Sequence, residues 1–258
     1  MMRFVKRYIG SLALVTALFG GAKADEIHLD EGWSIGGQVL AQGERAEFTR
    51  RFQRDRVYFI RVSGTANAQD VDVQILDADG QLITQDIGSE KEAQLRFVPR
   101  KSGDYTIRVS LAKSTGRALC YFVVLRLDGG WSVPLQDIEA ALGRLTALDR
   151  ELTDYRLQRF YGFVMREAER QSIQIGGLET NRYVVVAVGD DLADDIDLAV
   201  FAKGRLLDSD ELEDAVPITE FTASESVEVR VSYVSGSGPA LVVMALYELA
   251  KPEAKYRH

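Results

Sequence analysis

The sequence predicts a mainly β protein: two β-sandwich domains joined by a long helical connector. Three observations predict it. Short runs alternate apolar and polar residues and are rich in β-branched and aromatic side chains, as in Val57-Tyr58-Phe59-Ile60-Arg61-Val62. The pattern of the first half returns in the second at an offset of 125 positions. Between the halves the apolar period changes from two to three or four.

The chain opens on a basic start (Arg3, Lys6, Arg7), an apolar run from Ile9 to Phe19, and small residues at Ala22-Lys23-Ala24. That is the layout of a cleaved Sec-type signal peptide over residues 1–24. The run is shorter than the roughly 20 residues a membrane span needs, and no later stretch supplies one. An exported protein, periplasmic or secreted, is therefore expected. Removing the leader's four cations leaves 27 Lys and Arg against 39 Asp and Glu, a net charge of −12 in place of −8. Such a balance disfavours nucleic acid, whose binding rests on clustered cations.

Residues 25–131 form the first expected sandwich and 170–250 the second. Tyr58 and Gly64 bracket an apolar strand and fall on Tyr183 and Gly189; Asp70-Val71-Asp72-Val73 falls on Asp195-Ile196-Asp197-Leu198. A glycine turn follows each, at Gly80 and Gly204, where positive φ carries no steric cost. One residue then drops out, so Asp86 aligns with Asp210 and Phe97 with Phe221. Two sheets closing on one another would bury the inner faces of these strands.

The connector is expected over 132–169. Leu135, Ile138, Leu142, Leu145, Leu148, Leu152 and Tyr155 recur at helical spacing, Pro134 suits a first turn, and Asp137 and Glu139 suit its dipole. Near Phe160-Tyr161-Gly162 the stripe slips by a residue, which reads as a kink or a second short helix. The stripe must be covered, either by the sandwiches or as the seam of a homodimer. Residues 251–258 read as a polar, flexible tail.

Few groups are available for catalysis. Gly32-Trp33-Ser34-Ile35-Gly36 matches the Gly-x-Ser-x-Gly string of a nucleophile elbow, but that device needs a downstream histidine base. The two histidines are His28, which precedes the serine, and His258, the final residue. Cys120 sits in the apolar run Leu119 to Leu125 and reads as a buried small hydrophobe. Serine-histidine, cysteine-histidine and zinc sites all lack parts, so a non-enzyme without a cofactor is expected, with carboxylates the remaining groups for acid–base work. Asp70 with Asp72, and Asp195 with Asp197, each place two acids on one strand face, where turn amides, water or a calcium ion must separate the charges. Asp77, Asp79 and Asp86 lack the spacing of an EF-hand loop. Trp33 and Trp131, both in Gly-Trp-Ser contexts, are candidates for a ligand surface or for closing the ends of a core.

An aromatic strand ending in Val-x-Gly, then Asp-x-Asp-hydrophobic, a glycine turn, an Asp, a Phe and Gly-x-Tyr-x-hydrophobic-x-Val make up a recognisable pattern. Tyr58 to Gly64, Asp70 to Val73, Gly80, Asp86, Phe97 and Gly103 to Val109 supply it. On these residues the chain resembles the bacterial pre-peptidase C-terminal (PPC-like) domain family. The second half keeps Asp195 to Leu198, Gly204, Asp210 and Phe221, but shows Ser226-Val227-Glu228 in place of Gly-x-Tyr. The resemblance spans about residues 35–127 and 170–249. It implies compact jelly-roll sandwiches that accompany secreted peptidases as accessory modules, and no peptidase domain is present here. The expectation is a binding or scaffolding protein whose partner is an envelope protein or a glycan. A calcium-dependent or glycan-binding module and a carboxylate-based hydrolase are the alternatives.

Overall fold

The computed structural model describes residues 26–30 and 32–250; the expected leader and tail lie outside the described residues. The strands run β1 (Glu26–Leu29), β2 (Gly32–Leu40), β3 (Arg45–Phe52), β4 (Tyr58–Gly64), β5 (Ala68–Leu76), β6 (Leu82–Asp86), β7 (Glu92–Phe97), β8 (Gly103–Ser114), β9 (Ala118–Arg126) and β10 (Trp131–Pro134). Helix α1 (Leu135–Glu151) follows, then β11 (Tyr155–Met165), β12 (Arg170–Ile175), β13 (Asn181–Gly189), β14 (Ala193–Ala202), β15 (Arg205–Asp210), β16 (Ile218–Ala223), β17 (Val227–Gly236) and β18 (Ala240–Leu249).

Two kinds of strand sequence give two kinds of strand. In β3 the buried residues Ala46, Phe48, Arg50 and Phe52 alternate with exposed ones, so one face meets the core and the other water. In β9 and β18 nearly every position is buried. An apolar run without alternation belongs to a strand covered on both faces.

Those doubly covered strands form the middle layer. It is a ten-stranded sheet running β7-β4-β9-β2-β11-β18-β13-β16, with the antiparallel β1–β10 pair joined to β9 where Leu29 meets Leu125. On one face lie two four-stranded sheets, β3-β8-β5-β6 over the first half and β12-β17-β14-β15 over the second. Ala118, Cys120, Phe122 and Val124 of β9 point to that side and join one core that reaches through Tyr161, Phe163 and Met165 into the second half. Leu119, Tyr121 and Val123 point the other way, into a core that includes Ile138, Ala141 and Leu145 of α1. The fold is thus an antiparallel β-sandwich architecture with a helix laid on its back.

The connector differs from the expected helix over 132–169. The helix ends at Glu151, spanning 17 residues or about 25 Å. After the turn at Leu152–Asp154 the chain enters β11, which pairs with β18 on one side and β2 on the other. The slip at Phe160 to Gly162 is therefore not a kink: those residues lie inside a strand and face alternate cores. Of the helical stripe, Ile138 is fully buried and Leu145 is 1 % exposed against the outer face of the sheet, with Ala141 beside them, and Leu148, Leu152 and Tyr155 are partly buried against the same core.

The β2–β11 seam fuses the two halves. Its register sets Gly36 opposite Tyr161, Gly37 opposite Phe160 and Gln38 opposite Arg159. A Cβ on Gly37 would fall 2.5 Å from the Phe160 ring and 3.0 Å from the Cys120 carbonyl, so the seam closes only around a residue without one. One such approach is matched between the halves: a Cβ on Gly64 would lie 2.3 Å from that of Ala68, and one on Gly189 2.4 Å from that of Ala193.

Candidate functional site

The residues singled out in the sequence occupy four separate places. Ser34 is fully buried and its hydroxyl donates to the Asp30 carbonyl at 2.7 Å, so its proton is already committed to the backbone. Cys120 is 2 % exposed, and burial pushes its thiol up to about 12, which keeps it protonated and unreactive at neutral pH. His28 is exposed on β1, opposite Ser132; His258 lies outside the described residues.

Most carboxylates near the turns cap backbone. Asp77 Oδ1 accepts from the amides of Asp79 and Gln81. Asp86 accepts from Gly88 and Gln94, and Asp210 from Leu212 and Ile218, in matching geometry. Asp70 and Asp195 each sit at a β-bulge on β5 and β14. Each has a buried Oδ1 without a hydrogen-bond partner. Burial, then Asp70 and Asp86, raise the carboxyl of Asp72; burial, then Asp195 and Glu211, raise that of Asp197. Among the described residues no group of three or more His, Cys, Asp or Glu gathers to hold a metal ion.

Trp33 is partly buried and packs against the core between the sheets. Its ring meets Phe122 edge-on at 5.9 Å and Tyr161 at 5.6 Å, with Phe48 at 6.3 Å. Over it lies the Arg50 guanidinium, 5.4 Å from the ring centre and 4.7 Å from that of Phe52. Arg50 pairs with Asp30 at 2.5 Å, with both side chains 4 % exposed, and Arg126 approaches the other Asp30 oxygen at 3.7 Å. Burial lowers the Arg50 guanidinium from its ordinary value and Asp30 opposes that shift. The sequence reading missed this pair, because Asp30 and Arg50 meet only when β3 folds across the end of β2.

Trp131 has a different setting. It lies at the start of β10, half-buried, and Arg166 from the turn after β11 stacks on its ring at 4.4 Å. The two form part of an open cleft of about 380 Å³ lined by Gly32, Trp131, Val164, Arg166, Glu167, Ala168 and Glu169. Glu169 is engaged, accepting from the Arg166 amide and from Gln171. Among the described residues the Arg166 guanidinium has no hydrogen-bond acceptor and no carboxylate within ion-pair distance. A second cleft, about 430 Å³, lies beside β13 and β16, and there Arg182 is paired to Glu220 at 2.6 Å while Tyr155 donates to the same carboxylate. The charges of the second cleft neutralise each other; those of the first do not.

No family model matches the chain, and no curated protein matches it. Among solved structures, it is similar to PliG of Aeromonas hydrophila, a periplasmic inhibitor of g-type lysozyme: 16 % identity, 40 % of this chain and 99 % of that one, TM-score 0.30. It is also similar to the tandem CBM22 domains of Xyn10C from Paenibacillus barcinonensis, at 11 % identity over 88 % of this chain and 99 % of that one, TM-score 0.23. The major capsid protein P2 of bacteriophage PM2 gives 9 % identity over 88 % and 98 %, TM-score 0.24. Likenesses of this strength assign no ligand or activity to the chain. Among the described residues no helix is long and apolar enough to cross a membrane.

Proposed function

We propose that the chain is an exported binding or scaffolding protein of the cell envelope, that its halves are two copies of one PPC-like sandwich, and that it catalyses no reaction itself. The observation that carries the binding reading is the Trp131–Arg166 cleft, where an aromatic ring and a cation without an acidic partner open to solvent beside the seam. The leader-like segment supports export, and the acid balance of the chain disfavours nucleic acid as the partner. Matching carboxylate caps at Asp86 and Asp210 support the duplication. Dimerisation through α1 is not part of the proposal, because Ile138 and Leu145 of the stripe that suggested it pack within the chain.

The test uses residues 25–258 as bait in the native envelope fraction. A partner retained by the wild type and lost by Trp131→Ala is the expected result. Turnover on glycoside or peptide panels that disappears in Asp72→Asn or Asp197→Asn would replace this reading with the hydrolase. A calcium-dependent module is the second reading, favoured by the buried, unpartnered Oδ1 of both Asp70 and Asp195. It predicts a higher melting temperature in millimolar calcium than in chelator, since a ligand of the native state stabilises by mass action.

A further inference from the structure

We infer that the cleft beside the seam is a receptor for a carboxylated sugar unit of an otherwise uncharged glycan, with Arg166 as the carboxylate-binding group. The inference rests on the binding reading above and gives it a ligand class.

The chain carries an internal control for Arg166. At the 125-residue offset the turn Arg166–Glu169 corresponds to Ala41–Glu44. In both turns the glutamate carboxylate accepts the first residue's amide, at 2.7 Å for Ala41 and 3.0 Å for Arg166. The third residue takes positive φ in both, +82° at Gly43 and 61° at Ala168, and its amide donates across to a strand carbonyl at 2.8 Å in both. The turn therefore forms equally well with alanine in its first position. The arginine stands only in the turn that borders Trp131.

The contact with the indole, 4.4 Å from the guanidinium carbon to the ring centre, restrains the Arg166 head at the cleft through cation–π attraction and leaves its N–H groups available to a ligand. A planar, pre-oriented fork matches the two oxygens of a carboxylate, which it can hold through two parallel hydrogen bonds. The remaining walls narrow the class. Glu167 is exposed at the cleft and the whole chain is acidic, so a densely charged polyanion is repelled. Apolar lining is limited to Val164, Ala168 and the indole, too little to seat an aliphatic side chain at a peptide terminus. The Glu167 carboxylate as an acceptor for hydroxyl protons, an aromatic edge and an open side suit one acidic sugar in a neutral chain.

The experiment titrates the protein, as residues 25–258, with glucuronate, its methyl ester, glucose and tetra-alanine, followed by indole fluorescence and by chemical shifts. Glucuronate is expected to bind, and at least tenfold more tightly than the ester or glucose. Arg166→Ala is expected to weaken it at least tenfold and Arg166→Lys severalfold, with unchanged melting temperatures because the Ala41 turn folds in the same way. Three outcomes overturn the inference: equal affinity for the ester, equal affinity in Arg166→Ala, or binding of tetra-alanine in preference to the sugars. Absence of glucuronate binding at 20 mM, in a protein that still retains an envelope partner through Trp131, overturns it too and leaves the broader binding reading in place.

Discussion

The two halves share a strand plan and differ in what fills one inward position. In the first half Arg50 lies between Phe48 and Phe52 on β3 and is balanced by Asp30. At the 125-residue offset the second half places Ile175, 1 % exposed, on β12. The same site therefore accepts a buried ion pair or a plain aliphatic side chain. A buried pair costs desolvation that its attraction does little more than repay, so the charges contribute geometry more than stability. Here they hold the bend between β1 and β2 against β3 and set the ring of Trp33 under a guanidinium. A second contrast lies at the corner after the glycine strand. Thr65 Oγ1 accepts the Leu119 amide in the first half; in the second, Asp190 accepts those of Leu192 and Leu241. Arg144 of α1 donates to the carbonyls of Gly189 and Asp190 at 2.7 and 3.0 Å, tying the helix to the second corner.

The ion pair gives the largest expected effect. Arg50→Ala leaves the buried Asp30 with the more distant Arg126 as its counter-charge and is expected to cost about 3 kcal/mol in denaturant unfolding, whereas Asp30→Leu combined with Arg50→Ile should cost less, Arg126 keeping Asp128. A double variant as unstable as the single one would mean that the first half cannot adopt the second half's solution.

Next is the seam. Gly37→Val, forced against Phe160 and the Cys120 carbonyl, is expected to cost about 1–3 kcal/mol. It should also split a single unfolding transition into two, as each half loses its neighbour. A sharp single transition in that variant would show that the cores, and not the seam, couple the halves.

Arg144→Ala acts on the second half alone. Losing charge-assisted bonds to two carbonyls is expected to cost about 1.5–3 kcal/mol, discounted toward the lower figure because the side chain is partly exposed. Hydrogen exchange should quicken at β13 and leave β4 unchanged.

The smallest effect tests the paired acids. Asp72 and Asp197 hold their protons more tightly in the folded chain than the ordinary 3.8, chiefly through burial and then through neighbouring acids. Their folded forms bind more protons than the unfolded chain just above that pH, so stability falls as pH rises through this window. Asp72→Asn and Asp197→Asn are each expected to raise the melting temperature by about 1–2 °C at pH 7 in chelator, with no gain below pH 3.8. A loss at pH 7 would assign the carboxylates a structural bond instead.

Much of the fold was legible where one face of a strand meets water. Residues 45–52, 92–97 and 227–233 alternate cleanly, and their burial alternates with them. Legibility fails where both faces are covered. Tyr155–Met165 is buried from Phe160 onward and carries no alternation, so the leucine spacing of the preceding helix could be carried on through it. A usable signal was present: Gly37 and Gly162, Leu40 and Met165, and Arg45 and Arg170 all keep the 125-residue offset. Following the repeat past residue 170 toward its start would have assigned that strand. The candidate site was half legible. Trp131 stood out by type and context, but Arg166 reaches it through a turn more than thirty residues away, and only the sheet's register brings them together. Trp33 shared the Gly-Trp-Ser context and went to the core, because its strand points it at Phe48 and Tyr161.

The shared sheet also settles what dividing the chain would do. β2 and β11 are each other's cover, so cutting between Glu151 and Tyr155 leaves two long strands with bare amides and carbonyls along one side. Such pieces would stick to each other, or to copies of themselves, before acting as independent modules. The molecule therefore has no hinge at its midpoint, and whatever it holds is presented on a plank rather than between two jaws.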